Sequence, residues 1–315
     1  MSAEAARIPA PSLPRLVHGA VVTVGTFDGV HLGHRDLLER VVVRAVERQL
    51  PSLLVTFHPH PLEIVNPSAA PPLLTTTEEK LQAVAETGID YAVVLPFTSG
   101  LAALDAAGFV DRVLLERCCM RELLIGYDHG FGRGREGDVD LLRRLGENRG
   151  FRVEVVEAVS VDGHPVSSSS VRRAISYGDL ELAARLLGRR YAFAGQVVEG
   201  ESRGRSLGFP TLNISISSAR KLLPPAGVYA VLTRSRRGSF GGMMNLGARP
   251  TFGDATFSPE VHLFETGGDW YGESVCVELV RRLRDTVRFE SVEALVSQLH
   301  RDEAAARDAL TQLEA

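Results

Sequence analysis

Cysteine is scarce: the 315 residues hold three, Cys118, Cys119 and Cys276, an odd number without metal-ligand spacing. A disulfide framework is therefore excluded, and a reducing cytoplasm is expected. Nowhere does an uninterrupted apolar stretch approach the roughly 20 residues that a membrane-spanning helix needs. Met1 to Leu16 carries Glu4, Arg7, Arg15 and three prolines but no apolar core, so it is not read as a signal peptide. Residues 1–17 are expected to be a disordered tail. Lysine is nearly missing, since of 35 basic residues only Lys80 and Lys221 are lysines and the other 33 are arginines. A codon bias toward GC-rich DNA accounts for that. An excess of positive charge is lacking too. Up to Gly188 there are 19 basic and 24 acidic residues, net −5; from Arg189 onward 16 and 15, net +1. Neither half has the balance of a nucleic-acid binder, and no partner nucleic acid or membrane is expected. With 44% hydrophobic and 23% charged residues, the chain has the composition of a folded protein of two domains.

What is present is ordered. Short apolar runs at 20–24, 53–57, 91–95, 123–126 and 151–156 alternate with helical stretches near 34–49, 76–87, 105–117 and 139–148. Thr76 and Glu79 form a capping box at the start of one of them. The alternation predicts a parallel sheet with helices on both faces, whose ligands bind at the C-terminal strand ends. Chemistry is accordingly expected at Gly25–His34, His58–Pro61 and Gly126–Gly137. Serines 167–170 precede a further helix, and a last one in this half ends at Gly188. Beyond it the segments near 193–198, 228–233, 242–246, 260–264 and 275–280 are short and β-rich, which predicts a small antiparallel barrel. Val292, Leu295, Val296 and Leu299 then mark an amphipathic helix. The expected domains are 18–187 and 188–315.

Two constellations carry chemistry. The first is Gly25-Thr26-Phe27-Asp28-Gly29-Val30-His31-Leu32-Gly33-His34, directly after a strand. Gly29 and Gly33 let a backbone approach its ligand, and the start of the next helix favours an anion. His31 and His34 can both donate to a triphosphate as pyrophosphate leaves. Half of a zinc site shared with His58 and His60 is the competing reading; the strand–turn–helix setting suits phosphate better. The second constellation begins with the loop Gly200 to Gly208, which includes Gly204 and Arg205 and could wrap phosphates, although it lacks the ending of a Walker loop. Pro210 then sets the backbone ahead of Thr211 and Asn213. Those two lie two apart on a strand, so their oxygens can share one hard cation such as Mg²⁺, or simply form a polar strand face. Glu260 shares a strand face with His262, which is taken as structural.

In this order the motifs resemble those of the bacterial bifunctional riboflavin kinase/FAD synthetases. The resemblance rests on Gly25–His34, on Thr56-Phe57-His58-Pro59-His60-Pro61, on Gly126-Tyr127-Asp128-His129-Gly130-Phe131-Gly132 and on Ser167–Arg172. In the second half it rests on Gly208-Phe209-Pro210-Thr211-Leu212-Asn213, Gly227-Val228-Tyr229, Asn245–Gly253 and Tyr271-Gly272, so that about 19–310 is covered. The chain departs from the family pattern at His58, where an acidic residue is usual, and at His129-Gly130, where Phe-Arg is common. Ser169 and Leu212 replace a frequent Thr and a usual Ala.

The resemblance implies a Rossmann-like adenylyltransferase domain and a barrel kinase domain. Riboflavin would be phosphorylated with Mg-ATP to FMN, and FMN joined to AMP from a second ATP, giving FAD and pyrophosphate. It implies that His31 and His34 contact ATP phosphates, that Gly25, Phe27 and Asp28 of the same turn bind ATP with them, and that Asp128 holds the nucleotide or its metal. Ser168, Ser169 and Arg172 would bind the departing phosphates. Thr211 and Asn213 would be the Mg-ATP ligands of the kinase, with Gly204, Arg205, Gly208 and Pro210 around them, and Glu260 the base that takes the ribityl hydroxyl proton. His60 and Arg249 would line flavin pockets, His60 being equally readable as a structural loop residue. A riboflavin kinase with an impaired adenylation half is the alternative that His129-Gly130 raises. The sequence does not specify an oligomeric state.

Overall fold

A computed structural model describes residues 6–8, 18–127, 137–200, 203–249, 256–264 and 267–313. The chain divides into two compact units, Met1–Ser168 and Ser169–Ala315.

The first unit runs β1 (Ala6–Ile8), β2 (Ala20–Val24), α1 (Leu32–Arg48), β3 (Ser52–His58), α2 (Pro61–Val65), α3 (Thr77–Ala85) and β4 (Tyr91–Pro96). It continues through α4 (Ser99–Ala102), α5 (Ala106–Phe109), β5 (Met120–Gly126), α6 (Val139–Arg149), β6 (Arg152–Val156) and the hairpin β7 (Ser160–Val161) and β8 (His164–Pro165). The six-stranded sheet has the order β1-β4-β3-β2-β5-β6, every pair parallel. Because side chains alternate across a strand, β2 and β3 feed two cores. Val22, Val24, Leu53 and Val55 pack beneath Phe109, Val113 and Leu142, while Val21 and Leu54 pack beneath Leu38, Val41 and Val84 of α1 and α3. Helices therefore cover both faces, as a parallel sheet requires. The strand order reverses at β2, between β3 and β5, and the crevice beyond such a switch point is where ligands bind.

Two local features differ from the sequence reading. Ala6–Ile8, inside the expected tail, pairs with β4 (Ala6↔Tyr91, Ile8↔Val93), filling hydrogen-bonding positions that an edge strand leaves open. The stretch read as one helix at 105–117 is the short α5 followed by a π-helical segment, Val110–Leu115. The capping box is present: Thr76 Oγ1 accepts from Glu79 N and Glu79 accepts from Thr76 N, at 3.2 and 2.9 Å.

The second unit holds most of α7 (Ser168–Ser176), then α8 (Leu180–Leu187), β9 (Ala192–Val198), α9 (Arg203–Ser206), β10 (Leu212–Ile216), β11 (Gly227–Ser235), β12 (Gly238–Arg249), β13 (Thr256–Leu263), β14 (Ser274–Arg284) and α10 (Val292–Thr311). Six antiparallel strands close in the order β10-β13-β12-β11-β14-β9, with β9 pairing back onto β10. The amphipathic α10 lies on the outside, its Ala306 and Ala309 buried with Phe209, Ala230, Met243 and Phe264. By compactness, the division between units falls ahead of the boundary expected near 187–190. Gly178, in the turn after α7, sits against the Arg282 side chain of β14, and α8 packs on that same strand.

Candidate active site

In the first unit, β2 ends at the switch point and the chain turns sharply into α1. Phe27, Gly29 and Val30 all take positive φ, at 48°, 85° and 41°. Such a run is costly for side chains and persists only where surrounding contacts fix it. Asp28 supplies them. Its buried carboxylate accepts from the backbone N–H groups of Leu74 and Thr75 at 3.0 Å and from the Thr75 hydroxyl at 3.2 Å. Thr75 Oγ1 in turn receives Gly29 N at 3.1 Å. Asp28 thus faces inward and holds the turn. A Cβ at Gly29 would come within 2.7 Å of Leu74 Cδ1, so glycine is required there by space as well as by φ.

Three rings follow one another in this turn. Phe27 is buried with its ring 4.7 Å from that of His34, and the His34 and His31 imidazoles stack at 3.6 Å and 16°. His31 caps α1, its Nδ1 accepting the His34 N–H at 3.3 Å. A neutral imidazole that accepts through Nδ1 carries its proton on Nε2, so that nitrogen is a donor. Ser168 joins the same place, its hydroxyl donating to the Asp28 carbonyl at 2.9 Å. Ser169 and Arg172 follow in the first turns of α7, exposed and half-buried respectively. Asp128 and His129-Gly130 lie outside the described residues.

The zinc alternative meets a different geometry. His60 caps α2, with Nδ1 accepting from Leu62 N at 3.2 Å, and His58 Nδ1 lies 3.1 Å from Thr77 Oγ1. Two of the four imidazoles therefore commit Nδ1 to helix ends. Among the described residues, no three His, Cys, Asp or Glu side chains converge to hold a metal ion. Both His58 and His60 instead line a small open cleft beside the turn, with Thr26, Asp28 and Lys80. Lys80 escaped the sequence reading. Its clearest signal was rarity, as the only lysine of the first 220 residues.

In the second unit the pairing register assembles the other constellation. Asn213 of β10 is directly opposite Glu260 of β13, which is directly opposite Asn245 of β12. Opposed residues share a face, so the three form one row, with Asn213 buried, Glu260 half-buried and Asn245 exposed. Asn245 has no role assigned by its sequence motif; only the register places it beside Glu260. The glycines of the preceding loop sit tight against this row. A Cβ on Gly200 would collide with the Asn213 amide, and one on Gly204 with the Phe209 carbonyl, 3.5 Å from Thr211 Oγ1. His262 Nδ1 donates to the Pro210 carbonyl at 2.8 Å, and its ring packs edge-on against Phe209. Gly208 turns at φ 82°. The Arg205 and Arg249 side chains lie outside the described residues, and Trp270 is buried against Phe240 and beneath the Arg237 guanidinium.

Two known families match, end to end. FAD synthetase matches residues 14–170 and riboflavin kinase residues 187–310. A bifunctional riboflavin kinase/FMN adenylyltransferase of Pseudomonas fluorescens is 42% identical over 290 residues, 92% of either chain. This chain belongs to the bifunctional riboflavin kinase/FMN adenylyltransferase family. Its Escherichia coli K12 member is 39% identical over 291 residues, again 92% of both chains. A solved Streptococcus pneumoniae chain described as a macrolide-efflux protein superposes with a TM-score of 0.84 at 30% identity, covering 94% of this chain and 95% of that one. Among the described residues here, no helix is long and apolar enough to cross a membrane. The family's two domains are both present in this transferase, which favours the bifunctional reading over a kinase alone.

Proposed function

We propose that this chain makes FAD from riboflavin in two steps, each in its own unit. The kinase step belongs to the barrel, for which we take 188–315, and adenylyl transfer to 18–187. The observation that carries the reading is the pair of separate constellations, His31 and His34 stacked at the α1 entrance and the Asn213–Glu260–Asn245 row across the barrel.

In the barrel, the Glu260 carboxylate takes the proton of the terminal ribityl hydroxyl as its oxygen attacks the γ-phosphorus of ATP; the bridging Pγ–O bond breaks and ADP leaves. The donor set fits Mg²⁺, since Thr211 offers a hydroxyl and Asn213 an amide oxygen, both hard ligands. When bound, that ion supplies charge neutralisation at the transferred phosphate. The loop with Gly204, Arg205 and Gly208 closes over the phosphates, and Arg249 serves the flavin.

In the first unit a phosphate oxygen of FMN attacks the α-phosphorus of a second ATP, and the bond to the bridging oxygen breaks as pyrophosphate departs. The chain's task is alignment and charge stabilisation. His31 Nε2–H and His34 donate to phosphate oxygens as charge builds on them. Ser168, Ser169 and Arg172 take the departing phosphates, Asp128 the nucleotide or its metal, and His60 the flavin side of the cleft. Cytoplasmic localisation accords with these substrates.

The test is to incubate the purified chain with riboflavin and Mg-ATP and resolve the flavins over time. FMN appearing first and FAD following supports the reading. FMN accumulating without FAD, even when FMN is supplied, would reduce the chain to a kinase.

A further inference from the structure

Both lysines of this chain are buried, at 7% and 6% exposure, whereas the cations facing water are arginines. The compact ammonium fits where the planar guanidinium fork does not. Lys221 is fully occupied, donating to the Ala192 carbonyl at 2.8 Å with its charge 4.5 Å over the Tyr191 ring. Lys80 is not so occupied. Among the described residues its Nζ has one hydrogen-bond acceptor, Thr56 Oγ1 at 3.3 Å, and it borders the cleft beside the Gly25–His34 turn. An ammonium has three donors, and burying one so sparsely satisfied is expensive. Desolvation lowers this amine to about 8, with the Asp28 carboxylate pulling it back upward.

The hydrogen bonds run in one direction. Lys80 Nζ donates to the Thr56 hydroxyl, and Thr56, itself wholly buried, donates to the Thr26 carbonyl at 3.1 Å. A trans peptide is planar, so a Thr26 carbonyl held against Thr56 turns the Phe27 N–H to the opposite side. That N–H lies in the turn whose Phe27 ring packs on the stacked His34 and His31 imidazoles. A charge at one end of a hydrogen-bonded chain also polarises every dipole along it.

We propose that Lys80 is a positioning residue for adenylyl transfer, whose ammonium, relayed through the Thr56 hydroxyl and the Thr26 carbonyl, fixes and polarises the Phe27 N–H as a donor to the nucleotide phosphates. This rests on the reading of the Gly25–His34 turn as the adenylyl-transfer site. Asp28 and Lys80 then divide the work on the turn, the carboxylate holding its loop side and the ammonium its peptide dipole. The kinase row belongs to the other unit.

The experiment compares full-length wild type with Lys80→Met, Lys80→Ala and His34→Ala. Each is assayed for FAD from FMN and Mg-ATP, for FMN from riboflavin, and for melting temperature. Lys80→Met should lower kcat for FAD by about 10- to 100-fold, the scale of a small misplacement of the reacting groups. Kinase rate and melting temperature should not fall. Ethylamine added to Lys80→Ala should restore part of the FAD rate, which a purely packing role would not allow. An FAD rate within twofold of wild type overturns the proposal. So does a loss of FAD synthesis that tracks an early melt and resists ethylamine, because Lys80 would then be structural. If His34→Ala also retains FAD synthesis, the reading of the turn itself fails; if only that variant is inactive, Lys80 alone is reassigned.

Discussion

Removing the Asp28 carboxylate should dismantle the adenylyltransferase turn and spare the kinase. In Asp28→Ala, two buried backbone N–H groups and the Thr75 hydroxyl lose their acceptor, and the carboxylate that faces Lys80 disappears. Each stranded buried donor costs about 1–3 kcal/mol, so the three together should cost the variant roughly 3–9 kcal/mol locally. A loss of that size competes with the whole stability of a typical domain. Asp28→Asn is the graded control. An amide oxygen placed where Oδ1 lies keeps the contacts to Leu74 N, Thr75 N and Thr75 Oγ1, while the charge and the second Leu74 contact go. Its cost should be about 1–2 kcal/mol, the excess of a charged over a neutral hydrogen bond. The assay is calorimetry of the full chain with both activities measured in parallel. The transition of the first unit should fall in the order wild type, Asn, Ala, with FAD synthesis falling alongside it and FMN formation unchanged. Equal melting of all three proteins, or a kinase that fails with the turn, would refute the reasoning.

Three further outcomes are expected. Asn213→Ala should abolish FMN formation from riboflavin while FAD formation from supplied FMN continues, and loss of both in a folded protein would end the two-site division. Glu260→Gln keeps the shape and removes the proton acceptor, so kinase kcat should fall about 100-fold or more with KM for ATP nearly unchanged; a rate within a few fold of wild type demotes Glu260. The Lys80 amine, at about 8 when folded against 10.5 when free, binds fewer protons folded than unfolded between those pH values. Unfolding free energy therefore rises with pH there, and the difference between wild type and Lys80→Met, followed by denaturant titration, should grow by about 3 kcal/mol from pH 8 to 10.5. A flat difference would place the ammonium in contact with water.

Local signals were legible in the sequence and long-range ones were not. Thr76 and Glu79 announce a helix start by themselves, because a capping box closes within four residues. The strand–turn–helix around Gly29 and His31 was visible for the same reason. Which way Asp28 faces was not, since its partners lie at 74–75 and depend on how α3 returns to the sheet. Asn245 could not be set beside Glu260 without the β12–β13 register, nor Glu260 beside Asn213 before the barrel closes. Lys80 was hidden by a sound compositional inference. Lysine scarcity does read as codon bias, yet the bias makes each surviving lysine informative, and only burial shows it.

That placement of the two lysines also makes the protein its own opening gauge. Lys80 belongs to one compact unit and Lys221 to the other, and both are withdrawn from solvent. An amine-acylating reagent therefore finds no exposed ε-amino group on the described surface, and each lysine reacts when its own surroundings part. Mass-resolved acylation over time would read two independent opening rates from one sample, without labels or substitutions. Nucleotide and flavin ligands could then be sorted by which of the two clocks they slow.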